Sequence, residues 1–320
     1  MSKKQKIRQP KAQRESKPML QKKDQTNVHI KTTRRTRKLK LSSGAFIAPS
    51  FIGVMMFFII PFMVVIYYSL VDNPISGNFV FLDNFRNIIA NSAFRRAVNN
   101  TFVFSVVSVP LAVVLSLLLA IVLEAKLPFR SQFRTFFLSP MMVPVASIVL
   151  IWQVIFHYNG ALNEVLANFG VGKIDWIKSD YALIMVVILF LWKNLGYNMI
   201  LFMAALASIP KDILEVAKLE SATPLQTFFH IKIRYLSSTI LFVTIMSLIN
   251  SFKVFREVYL LTGNYPYDSI YTLQHFMNNK FGTLDYQTLS AAAILMALVM
   301  IVIIGILFIA ENRFGKDVEG

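Results

Sequence analysis

Long apolar stretches broken by short polar ones dominate the chain. Runs of about 20 apolar residues, the length needed to cross a hydrocarbon core of about 30 Å, predict spans over 44–70, 98–123, 135–156, 182–208, 237–261 and 287–310. No apolar run is left over to form a soluble core. The first run is too long for a signal-peptide core and follows a polar tail, so it is read as a retained span. Pro140 and Pro144 are expected to kink the third span, where neighbouring helices can satisfy released carbonyls. Methionines such as Met55, Met56, Met141, Met142, Met296 and Met300 are read as ordinary packing.

One polar interval departs from this plan. Residues 209–236 combine two helical patterns with a break between them. Ile213, Val216, Ala217 and Glu220 recur at i, i+3, i+4 and i+7. After Ser221 and Ala222, Thr223 is placed to cap a second helix, and Pro224 suits its first position. Leu225, Phe228, Phe229 and Ile231 would give that helix an apolar side. Such a pair of helices fits either a knob for a partner protein or two helices lying on the lipid surface.

Composition agrees with a membrane chain. Apolar residues make up 55% and charged residues 16%, against roughly 45–50% and about 25% in soluble domains. The formal charge of +16 is not a nucleic-acid footprint, because residues 1–40 hold fifteen Lys or Arg against Glu15 and Asp24. That tail lacks the apolar residues needed to fold and reads as a disordered topology signal on anionic lipid, with a specific docking role as the alternative. With the N-terminus inside, the cytoplasmic segments carry 24 Lys and Arg and the opposite ones 6, so both termini are expected in the cytoplasm. The domain plan is therefore a tail over 1–40 and a membrane domain over 41–320. Cysteine is absent and the four histidines have no metal-ligand spacing, which argues against thiolate and metal chemistry.

Polar groups inside spans are costly and tend to face the bundle interior. Asn250, Lys253 and Glu257 share one face of the fifth span, where Lys253 can pair with Glu257 at i+4. Trp192, Lys193, Tyr197 and Asn198 gather on the fourth. Aromatic faces and amides suit a sugar, and they equally hold helices together in lipid.

The interval 209–236 resembles the EAA loop of binding-protein-dependent ABC importers of the carbohydrate type, E-A-A-x-x-D-G-A-x-x-x-Q-x-F-x-x-I-x-L-P. Glu215, Ala217, Ala222, Gln226, Phe228 and Ile231 match, and Glu220 stands for the Asp. Val216, Ser221 and Arg234 depart from it, and Ser221 would be strained if the turn needs a positive φ. Further likeness runs through most of 45–314: FVFLDNF and FRRAVNNTF before the second span, Pro140, Trp152, Phe156, Gly160, Asn163 and Gly170 around the third, and FKVFREVYLLTGNYP in the fifth.

The resemblance implies an all-α integral membrane protein with six transmembrane helices of the type I ABC importer permease fold and a cytoplasmic two-helix coupling loop. It implies a non-catalytic subunit in the plasma membrane that forms the path for a sugar or oligosaccharide. Its partners would be a second homologous permease, cytoplasmic ATP-binding subunits and an extracellular solute-binding protein. The chain has no G-x-x-x-x-G-K-[ST] loop, so ATP and Mg²⁺ would belong to the ATPase and no cofactor to this chain. Glu215 is the candidate for a charge-assisted hydrogen bond to a basic ATPase residue; its plainer reading is a surface carboxylate beside Lys211 or Lys218. An ion-coupled transporter, an ABC permease for a non-sugar solute, an intramembrane enzyme and a membrane scaffold are the competing readings.

Overall fold

A computed structural model of the protein describes residues 47–124 and 129–314. The basic tail of 1–40 lies outside the described residues. The chain divides into two units, Met1–Pro61 and Phe62–Gly320. Among the described residues, six helices are long and apolar enough to cross a membrane.

The first, α1 (Ile47–Leu70), carries the unit boundary. Its turn Met55–Ile59 is a π-helix in which the Ile60 N–H reaches the Met55 carbonyl. This widening lies just before Pro61, which has no N–H to continue the usual ladder.

In the second unit, α2 (Asp83–Ala90) is short and buries Ile88. Asn91 then caps the next helix, its side-chain oxygen accepting from the N–H groups of Ala93 and Phe94 at 2.9 and 3.1 Å. That helix, α3 (Ser92–Glu124), hides a stripe of small residues: Ala97, Thr101, Ser105, Ser108, Ala112, Ser116 and Ala120. Steps of three or four put them on one face, and small side chains let helices approach closely where lipid supplies no hydrophobic drive. The stripe meets α7 (Ala182–Ala207) and α10 (Ser237–Lys253). Ser105 and Ser251 share a buried hydrogen bond of 2.8 Å across one of these seams.

The third span differs from expectation. It is two helices, α4 (Arg130–Met142) and α5 (Val145–Phe156), interrupted at Val143 and Pro144. Pro144 has no N–H to donate and disfavours helical backbone in the residue before it, so Val143 turns extended with ψ 133°. Pro140, by contrast, is accommodated inside α4. The stretch with the length and apolarity of a span runs Val145–Ala167 and includes α6 (Ala161–Ala167). α4 packs on α7 at Gly196, where a Cβ would stand 1.9 Å from the Phe137 carbonyl oxygen. Only glycine permits that approach.

The fifth span comprises α10 and α11 (Phe255–Thr262), which join at Val254 with helical backbone, φ −60° and ψ −18°. α12 (Leu273–Gly282) follows, capped by Thr272, and α13 (Tyr286–Phe314) closes the chain. The Asn163 side chain, within α6, ties Tyr158 before the helix to Ile174 and Trp176 in the loop after it.

Candidate functional site

Residues 209–236 fold as two short helices, α8 (Lys211–Leu219) and α9 over 224–235. α8 ends because Ser221 takes the left-handed conformation, φ 56°. The Ser221 N–H then reaches the Lys218 carbonyl at 3.1 Å, and the Ala222 N–H reaches that of Ala217 at 2.9 Å. This is the Schellman closure, in which the residue after the left-handed one folds back on the last turn. The matched alanines Ala217 and Ala222 are joined through their backbones by that closure, and Ala217 is buried. The strain anticipated at Ser221 is present, and it costs roughly 1 kcal/mol for a side-chain-bearing residue.

The second helix starts as its residues dictate. Gln226 donates its N–H to the Thr223 hydroxyl at 3.3 Å, and its side-chain oxygen accepts from the Thr223 N–H at 2.8 Å. This is a capping box with Pro224 at the first helical position. Its middle, Thr227–Lys232, widens to a π-helix.

Ala217, Glu220, Ala222 and Gln226 come together along a groove of about 420 Å³ between the two helices. Phe228 is half-buried with its ring 5.0 Å from that of Phe229. Glu215 is exposed and lies outside the groove, and among the described residues it has no ion-pair partner, Lys211 and Lys218 included. The face expected of α8 is only partly realised, since Ala217 is buried while Val216 is 53% exposed.

The knob is firmly rooted. Ile209 and Leu236, at its two ends, are buried with Ala120 and Leu123 of α3, Leu206 of α7 and Val243 of α10. Lys232 adds an ion pair to Glu124 at 2.8 Å. Leu219, Leu225 and Phe229 nevertheless stand 85%, 70% and 61% exposed. The loop thus combines a packed base with apolar side chains presented outward.

A second concavity, about 370 Å³, lies among α4, α7, α10 and α11. Tyr197, Asn250 and Lys253 line it, with Lys193, Asn194 and Glu257. Asn250 donates to the Asn194 side-chain oxygen at 3.0 Å. Two other expected residues stand elsewhere. Trp192 is not among the lining side chains and packs edge-on to Trp152 at 6.1 Å. Asn198 is buried and donates to the Ser247 hydroxyl at 2.9 Å, which is helix-to-helix adhesion.

The expected pair of Lys253 and Glu257 does not form. Glu257 pairs instead with Lys193 of α7, across the seam between the two helices. Glu257 is almost wholly buried and its second oxygen has no partner. That carboxylate, on which an ion-coupled mechanism would have relied, is thus already engaged. Asn194 and Arg256 were not singled out in the sequence, where only their position on the Lys193 and Lys253 faces could have marked them.

Residues 112–319 match the family described as the inner membrane component of binding-protein-dependent transport systems. The chain belongs to this family. Among other family-like proteins it is similar to the trehalose/maltose transport system permease protein MalF of Thermococcus litoralis, 29% identical over 276 residues covering 85% of this chain and 93% of that one. It is similar also to the multiple sugar-binding transport system permease protein MsmF of Streptococcus mutans, 27% identical with 76% and 83% covered. A bacterial ABC transporter involved in the import of the acidic polysaccharide alginate contains a chain of the same fold, with TM-score 0.76, 19% identity and coverage of 88% and 98%. The six-helix permease architecture is therefore that of the family.

Proposed function

We propose that this chain is one permease subunit of an ATP-driven importer of a sugar or oligosaccharide. In that assembly a second, homologous permease completes the membrane path. Two cytoplasmic ATPases hold ATP and Mg²⁺, and an extracellular binding protein delivers the solute. Both termini and the knob lie in the cytoplasm. The family match carries the transport reading, and the sugar permeases among its relatives support the solute class.

The knob is the part that would transmit the stroke. Its base is packed into three spans, so a push on α8 or α9 moves the bundle rather than bending a loop. Leu219, Leu225 and Phe229 would bury in the ATPase, with Glu215 offering an unpaired carboxylate to a basic residue there. Co-purification in mild detergent is expected to bring down an ATPase and a second permease stoichiometrically. Glu215→Lys is expected to abolish ATP-dependent uptake in proteoliposomes while membrane insertion stays intact. Normal uptake by that variant removes Glu215 from coupling, and a purified assembly without an ATPase removes the importer reading.

A further inference from the structure

Charge is unevenly distributed in the membrane cleft. Three cationic side chains line it, Lys193, Lys253 and Arg256, against the single carboxylate of Glu257. Lys193 is committed to Glu257. Among the described residues, Lys253 and Arg256 have neither a hydrogen bond nor an ion pair, and both are exposed. Both also fall inside the candidate span Ser237–Thr262. Charged groups at that depth face protein or a watery path rather than lipid, and their place on the cleft wall beside Asn250 and Tyr197 says which.

Two unneutralised cations on one wall attract anions and disfavour the passage of cations. Resting on the importer reading above, we infer that the solute crossing this cleft is an acidic saccharide, one that carries carboxylate or phosphate groups. The planar fork of Arg256 matches either group through two parallel hydrogen bonds, and Lys253 adds a mobile point charge. Neutral parts of the same solute are provided for as well. Tyr197 offers a ring to the C–H faces of a sugar. Among the described residues the Asn250 side-chain oxygen accepts no hydrogen bond, while its amide donates to Asn194, which leaves that oxygen for a hydroxyl.

The complete importer, with its second permease, ATPases and binding protein, can be tested in liposomes. They are given an equimolar mixture of neutral malto-oligosaccharides, galacturonate oligosaccharides and hexose phosphates, and their contents are read by mass spectrometry. The expected result is ATP-dependent accumulation of an acidic class at least about tenfold above the neutral one. Which acidic class enters distinguishes carboxylate from phosphate. K253Q/R256Q is expected to remove that preference by roughly tenfold, as the loss of charge-assisted contacts predicts, and K253R/R256K to keep most of it. If the double glutamine variant fails to assemble, R256Q alone carries the comparison. Neutral solutes accumulating as well as acidic ones, or a preference unmoved by K253Q/R256Q, overturns the inference and leaves the importer standing. The second outcome would mean that carboxylates of the other permease neutralise this wall. No accumulation above an ATP-free control overturns both.

Discussion

The two-helix knob and the cleft among the spans solve opposite problems. The knob is built from neighbours in sequence: a left-handed Ser221, a capping box from Thr223 to Gln226, and turns closed within five residues. It presents the apolar side chains of Leu219, Leu225 and Phe229 outward. The cleft is built from residues far apart, Lys193 with Glu257 and Asn194 with Asn250, and keeps its polar groups inward. Local chemistry makes a part that can be gripped, whereas long-range packing makes a part that can be lined.

Substitutions separate the two regions. Gly196→Leu is expected to have the largest effect, because its side chain must displace the Phe137 backbone that forms the wall beside the cleft. The cost is about 3 kcal/mol or more, seen as loss of the monodisperse species after detergent extraction, with the knob's own local turns unchanged. Acid should act on a third place, α12. The His275 imidazole is fully buried against Phe255, its Nδ1 held by Thr272, and burial holds its pKa down at about 4. The unfolded chain takes up the proton near pH 6.5 while the folded one does not until about 4. Stability should therefore fall as pH drops through that window, by up to about 3 kcal/mol. His275→Gln should flatten the dependence of the thermal midpoint on pH.

Lys193→Met strands the Glu257 carboxylate and should cost about 3 kcal/mol, somewhat less because Lys193 is partly exposed. K193M/E257M should recover much of the loss, and full additivity of the two changes in thermal unfolding would show that the pair does not hold α7 to α11. The knob yields the smallest effects, and they have opposite signs. Thr223→Ala loses about 1 kcal/mol by removing the cap, and Ser221→Gly gains up to about 1 kcal/mol by relieving the left-handed backbone. Hydrogen exchange over 211–235 would read both, with protection in α10 unchanged.

Legibility followed the same division. The knob could be read because its turn residues act on backbone groups within a few positions, and because Thr223 and Pro224 have few other roles. The spans could be read because lipid imposes length and apolarity together. The interruption at Val143–Pro144 has a proline to mark it. What stayed hidden was that Glu257 would pair across the bundle with Lys193 rather than along its own span with Lys253. Partner choice across helices was equally hidden: Trp192 and Asn198 looked equivalent to Tyr197 on polarity, and only the rotation of α7 sends them to different neighbours.

The interruption at Val143 and Pro144 brings main chain into play beside Met141, which lines the cleft. Where α4 stops and α5 begins, several amide hydrogens and carbonyl oxygens have no helical acceptor or donor. In hydrocarbon they would be prohibitively placed, so this stretch looks onto water or protein. Those groups are the same whatever side chains the two methionines carry. Substituting those methionines therefore cannot retune them, and only replacing or moving Pro144 would shift that fixed polar ledge.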